Sequence, residues 1–317
     1  MLIPKGPHLE FEQPVVELSM KIEDLLKNSE IKNSDVKDLI AKKEALQKKI
    51  TSKLTAWNRV ELARRSGRPY TLDYIANIFT DFVELHGDRY FGDDPALVCG
   101  LAKLDGESVM VMGHQKGKDT KESIRRNFGM AHPEGYRKAL RCMQMAEKFG
   151  LPIITLIDTM GAYPGIGAEE RGQAEAIARN LREMAVMTVP ILCIVIGEGA
   201  SGGAIGIGIG DRLLMLENGW FGVISPESCS AILWGDSSKK IELSETMKIT
   251  ADDLFGLKIV DRIIREPLGG AHWDPDQMYR ILKGVIVEEL AALTKIPTEV
   301  LVENRIAKLS SMGQFSG

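Results

Sequence analysis

The chemistry this chain could perform is concentrated in residues 191–206, ILCIVIGEGASGGAIG, where an apolar run meets closely spaced glycines. Three patterns share these letters. Gly197-x-Gly199-x-x-Gly202 fits a dinucleotide fingerprint, with Glu217 about twenty positions on as a ribose ligand. The helix that should follow it would contain Gly203, Gly206, Gly208 and Gly210, each weakening a helix interior by roughly 1 kcal/mol. Gly199-x-Ser201-x-Gly203 fits the nucleophile elbow of a serine hydrolase, with Asp261 and His272 following in the required chain order. In the third pattern no side chain reacts. Consecutive glycines at the start of a short helix leave peptide N–H groups unobstructed, and these can receive developing negative charge. Spacing does not choose among the three, nor against a turn whose glycines only permit close packing.

Two other segments carry related signals. Residues 158–171, DTMGAYPGIGAEER, repeat the order of strand, glycine-rich loop and helix, with Tyr163 and Pro164 stiffening the loop. Residues 116–129, KGKDTKESIRRNFG, are basic and lack the P-loop spacing; they read as a site for a phosphate or carboxylate, or as solvated surface.

The elements that must position these turns follow from periodicity. Residues 15–65 carry two helical apolar stripes separated by NSEIKNSD, which reads as a helical hairpin, and residues 70–85 read as a further helix. Asp105-Gly106, between apolar runs 96–104 and 108–113, is a two-residue hairpin signal. Helices are expected over 133–149, 169–187, 226–234, 251–256 and 275–293. Strands are expected over 153–158, 191–196, 213–216, 221–224 and 259–264. Apolar runs without alternation, bounded by helices, imply a mainly parallel sheet covered on both faces. Periodicity leaves a doubly wound sheet and a spiral of such units equally open.

Composition sets the outer limits. With 44% hydrophobic and 26% charged residues among 317, the chain can bury a sizeable core. No apolar run approaches the roughly 20 residues of a membrane span, and the first residues show neither a secretion nor a transit pattern. A cytoplasmic protein with no membrane association is therefore expected. Cys99, Cys142, Cys193 and Cys229 form no CxxC pair, so no metal site is expected here. The net charge is −4, yet residues 42–68 hold nine basic and two acidic residues, which reads as a solvated face or a docking face for an acidic partner.

Taken together, HGDRYFGDDPALVCGLA, KGKDTKESIRRNFGMAHPEGYRKALR, DTMGAYPGIGAEERGQAEAIARNL, GEGASGGAIGIGIGD, VISPESCSAILW and the late phrase EPLGGAH resemble the carboxyltransferase α subunits of bacterial acetyl-CoA carboxylase over nearly the whole chain. Met160 stands where that family's phrase has proline, and Ala200 where glycine is more usual. The resemblance implies an α/β crotonase-like spiral of ββα units over residues 71–295, with an N-terminal helical arm (1–70) and a helical C-terminal tail (296–317). It implies transfer of a carboxyl group from carboxybiotin, borne on a biotin carboxyl carrier protein, to acetyl-CoA, giving malonyl-CoA for fatty acid synthesis. Gly202 and Gly203 would offer backbone amides to the biotin oxygen. Gly161, Ala162, Tyr163, Gly165, Arg125 and Arg126 would bind or shape substrate. No cofactor is expected to be covalently bound to this chain. The implied partners are a β subunit bearing a zinc ribbon, the carrier protein and biotin carboxylase, with an α₂β₂ arrangement.

Overall fold

A computed structural model describes residues 3–4, 6–27 and 33–313. The chain opens with three helices, α1 (Gln13–Leu26), α2 (Asn33–Thr51) and α3 (Ala56–Ala63). The expected hairpin is thus a three-helix arm. Thr55 ends the α2 run by capping α3, accepting from the Asn58 N–H while Asn58 bonds back to it. Of the expected loop NSEIKNSD, residues 28–32 lie outside the described residues.

After α4 (Thr71–Ile78) comes β1 (Thr80–Glu84), where sequence periodicity suggested continuous helix. Phe79 leaves helical geometry, and the following TDFVE segment pairs antiparallel at the sheet edge, where tertiary pairing outweighs a local stripe. β2 (Leu97–Leu104) and β3 (Glu107–His114) form the expected hairpin. Asp105 and Gly106 take φ of 51° and 93°, as a type I′ turn requires.

Then follow α5 (Thr120–Arg125), α6 (Pro133–Lys148), β4 (Ile153–Thr159), α7 (Ile166–Glu170), α8 (Gln173–Val186), β5 (Ile191–Ala200) and α9 (Ser201–Ile205). The single helix expected over 169–187 is two, divided at Gly172, whose φ of 81° no helix tolerates. The last third holds β6 (Arg212–Leu216), β7 (Trp220–Gly222), α10 (Pro226–Trp234), α11 (Lys240–Thr246), α12 (Ala251–Gly256), β8 (Arg262–Ile264), α13 (Pro275–Leu293) and α14 (Thr298–Ser310).

The sheet order is β1-β2-β3-β4-β5-β6-β8, parallel from β3 onward. Every residue of β4 and β5 is buried, which is why their sequences do not alternate. One face packs Met112, Ile157 and Val195 against α6 and α8, and the other packs Ile154, Leu156 and Ile194 against α4 and α13. β5 forks: its first half pairs with β6 and its last residues with β7. That fork carries the end of β5 past the main sheet, so its turn opens beside the turn of β4.

The basic run of the arm is not simply a solvated face. Arg65 pairs with Glu12 at 3.0 Å, Arg68 holds Glu266 at 2.7 and 2.9 Å, and Arg64 reaches Glu198 on β5. No helix among the described residues is long and apolar enough to cross a membrane.

Candidate functional site

The turns after β4 and β5 meet at one rim of the sheet. β5 ends at Ala200 and α9 begins on the next residue, a reversal abrupt enough to place Ser201 at φ 57°, a left-handed conformation rare outside glycine. Space decides the residue types here. A Cβ on Gly203 would lie 2.5 Å from the Ala162 nitrogen, so the two turns touch backbone to backbone. A Cβ on Gly202 would meet only the end of Ile177, at 3.4 Å.

The amides at this contact are unequally used. α9 is five residues long, and its first N–H groups have no carbonyl behind them. Among the described residues, the N–H groups of Gly202 and Gly203 have no acceptor, and neither does that of Ala162 across the contact. Gly161, by contrast, donates to the Thr159 hydroxyl at 3.1 Å while that hydroxyl donates to the Gly161 carbonyl at 2.7 Å. Its φ of 146° is open to glycine and strained for other residues. Tyr163 spends its amide on the Ala131 carbonyl at 3.0 Å and stacks its ring on His132, centroids 4.1 Å apart. Gly165 leaves room for that ring.

Of the two arginines expected to touch substrate, Arg125 is exposed at the end of α5 and has no partner among the described residues. Arg126 is buried and committed internally, with Nε donating to Glu122 at 2.9 Å and a terminal nitrogen to the Pro95 carbonyl at 2.8 Å. The structure places them in different environments one residue apart.

Beside the turns opens a cleft of about 510 Å³, bordered by Tyr70, Lys116, Phe128, Met160, Glu198, Trp220 and Glu227. Its charged wall was not foreseen as a unit. Lys116 Nζ stands 2.7 Å from Asp158 Oδ1 and 2.6 Å from Glu198 Oε2. Glu198 also accepts from Arg64 Nε at 2.5 Å and from the Trp220 indole at 3.3 Å, and Arg64 continues to Glu227. Burial pushes the Asp158 carboxyl above its ordinary pKa. For Glu198 burial acts the same way, but Lys116 and Arg64 outweigh it and leave the group below its usual range. Burial would discharge Lys116, yet the two carboxylates hold its pKa above normal. His114, at the end of β3, is fully buried with its ring against the Gly203 backbone. Burial, then the Lys116 charge, brings its pKa down to about 3. One signal could have found the cluster. Glu198 is the lone charged residue between Thr188 and Ile209, and a carboxylate in so apolar a run needs a buried partner.

The hydrolase and dinucleotide patterns do not assemble. His272 Nε2 is 2.6 Å from Glu12, and Asp261 accepts from the Leu213 amide at 2.6 Å and pairs with Lys308; neither bonds to Ser201 or to the other. α9 is too short to cap a pyrophosphate, and Glu217 pairs with Arg265 at 3.1 Å. Among the described residues no group of three or more His, Cys, Asp or Glu could hold a metal ion, and all four cysteines are free thiols.

Comparison with known proteins gives a concordant set. The family described as acetyl co-enzyme A carboxylase carboxyltransferase-like matches residues 8–313. The acetyl-coenzyme A carboxylase carboxyl transferase subunit alpha of Chlorobaculum parvum is 57% identical over 326 residues, covering 97% of both chains. That of Geobacter metallireducens is 57% identical over 312 residues, covering 97% of this chain and 98% of its own. Among solved structures, transcarboxylase 12S with methylmalonyl-coenzyme A bound superimposes with a TM-score of 0.57 at 20% identity, over 74% of this chain and 44% of that one. A Pseudomonas malonate decarboxylase hetero-tetramer in complex with coenzyme A gives 0.56 at 17% identity, over 70% and 89%. At such identities the structural likeness carries the fold, the crotonase-like spiral.

Proposed function

The chain belongs to the family of acetyl-CoA carboxylase carboxyltransferase α subunits, and from that premise we propose how its glycine turns serve carboxyl transfer. The reaction moves a carboxyl group from carboxybiotin to acetyl-CoA, giving malonyl-CoA, and the α subunit works within a complex of subunits. Carboxybiotin arrives as a substrate on a carrier protein. When its N–CO₂ bond breaks, the electron pair stays on the ureido group and charge accumulates on the ureido oxygen. That oxygen accepts from the N–H groups of Gly202 and Gly203, with Ala162 as a third donor across the contact. The ureido nitrogen then takes a proton from the acetyl methyl, and the resulting carbanion attacks the released CO₂. Proton and carboxyl group balance, so no side-chain base is required of this chain.

The observation that carries this reading is that the amides of Gly202, Gly203 and Ala162, where two buried strands end, have no acceptor among the described residues. Preorganised donors of this kind act where charge develops and need no reorganisation; each is worth about 3 kcal/mol of transition-state stabilisation. Gly161 supplies conformation, not a donor. Tyr163 and Gly165 brace the loop, and Arg125 is free to meet an anionic part of a substrate. The partner is a zinc-ribbon β subunit that completes the acyl-CoA side.

Reconstitution tests the assignment. The purified chain, mixed with the zinc-ribbon subunit, should catalyse malonyl-CoA-dependent carboxylation of free biotin, and neither subunit alone should do so. Robust turnover by this chain alone, or none by the mixture, would overturn it.

A further inference from the structure

The charged wall of the cleft has no role in the chemistry above, yet it stands where both turns begin. We infer that Lys116 is a positioning residue that fixes the two glycine turns relative to each other by clamping the carboxylates at the ends of β4 and β5. The inference rests on the reading of those turns as the oxyanion site and adds the device that holds them in register.

Pairing between β4 and β5 is regular from Ile153↔Ile191 to Ile157↔Val195, then slips, and resumes at Thr159↔Gly199. At the slip the Asp158 side chain replaces the lost ladder bond, accepting from the Glu198 amide at 2.9 Å. Gly197 makes this possible, since a Cβ there would lie 2.5 Å from Asp158 Oδ1. The arrangement brings two buried carboxylates, Asp158 and Glu198, onto one side of adjacent strands, where their charges repel. Lys116, from the segment after β3, lies between them with its side chain 12% exposed. Three successive strands are thereby tied at their ends. Arg64 and the Trp220 indole extend the tie from Glu198 to α3 and β7.

Beyond the clamp the turns meet backbone to backbone, Gly203 resting directly on the Gly161–Ala162 peptide. Any shift of the strand ends is therefore passed to the free amides without a cushion, and donor geometry matters at the sub-ångström level. Two cations face three carboxylates, counting Glu227, so the cluster is close to balanced while Lys116 is present. Its removal leaves like charges facing each other across the slip.

The test uses Lys116→Met, alone and with Asp158→Asn, in the complex with the zinc-ribbon subunit. Hydrogen exchange over 159–163 and 199–206 should speed up at least about tenfold in Lys116→Met, with the β2–β3 hairpin unaffected. Turnover should fall about 100-fold with the KM for malonyl-CoA within about threefold. Asp158→Asn should restore most of the loss, since a neutral amide removes the repulsion while its oxygen can still accept from Glu198 N–H. Should Lys116→Met not fold, Glu198→Gln takes its place, with the same signature expected at about tenfold. Unchanged exchange, or a raised KM with turnover intact, would overturn the inference, the latter by making Lys116 a substrate contact. If the unaltered complex transfers no carboxyl group, the functional reading fails, and the exchange rates alone decide the positioning role.

Discussion

The chain contains two glycine pairs, and they do opposite things. Gly202-Gly203 sits where a strand becomes a short helix; Gly203 is small for the sake of space, and neither amide has an acceptor among the described residues. Gly269-Gly270, before α13, takes φ of 91° and 114°, so conformation is what demands glycine. The two peptide N–H groups that follow Gly269 are spent internally. Gly270 N–H donates to the Pro267 carbonyl at 2.8 Å, and Ala271 N–H donates to Glu266 at 2.6 Å. Glu266 is in turn held by Arg68, and the nearby His272 by Glu12, which fastens the arm to the body. A glycine pair thus signals either a vacancy for a ligand or a joint in the frame. What separates them is whether the surrounding polar groups are already satisfied.

Substitutions can break this contrast. Gly203→Ala drives a methyl into the Gly161–Ala162 peptide and should lower the carboxyl transfer of the folded complex about 100-fold, equivalent to about 3 kcal/mol, and lower the melting temperature as well, because the backbone it meets must shift. Gly202→Ala keeps its N–H and has room, so transfer within about threefold is expected. Equal effects at both positions would remove the steric argument. At the other pair, Gly269→Ala must adopt a left-handed φ and crowd Trp273 and Gln47. It should cost about 2 kcal/mol in urea unfolding and leave the turnover of folded complex intact; a loss of turnover at full stability would make the joint part of the site.

The pH dependence of stability sharpens the contrast further. His114 on the site side has a folded-state pKa of about 3 against an ordinary 6.5. Its stabilising contribution is complete above about pH 6.5 and declines as pH falls toward 3, by about 1.4 kcal/mol per unit. At the joint, burial likewise lowers His272, so it adds to the slope in the same direction, while Glu12, down to about 2 from 4.5, adds its own decline only below pH 4.5. Urea midpoints between pH 7 and 4.5 should fall, and His114→Phe should remove its share of the slope and leave that of His272. An unaltered slope in His114→Phe would show that the imidazole titrates normally.

Much of the frame was legible. The Asp105-Gly106 hairpin, the uninterrupted apolar runs of β4 and β5, and the helices from Pro133 and Pro275 follow from local turn chemistry and burial on both faces. Reading failed where a local pattern was ambiguous. Residues 80–84 carry a stripe that suits helix or strand, and only the partner β2 decides it. Residues 169–187 look like one helix until Gly172 is seen with φ 81°. At the site, the glycine turns were legible as turns, but three chemistries fitted the same letters.

What the sequence determined by itself is the presence of two buried strands ending in glycine-rich turns, because burial and conformational demand act residue by residue. What only the tertiary structure decided is which amides are left over and which charges meet. Lys116 and Glu198 are 82 positions apart and Arg64 and Glu198 are 134 apart, so no local pattern encodes their contact. Hydrogen bonding saturates: a donor is available to a ligand only after every other acceptor within reach has been placed, and that is a property of the assembled fold.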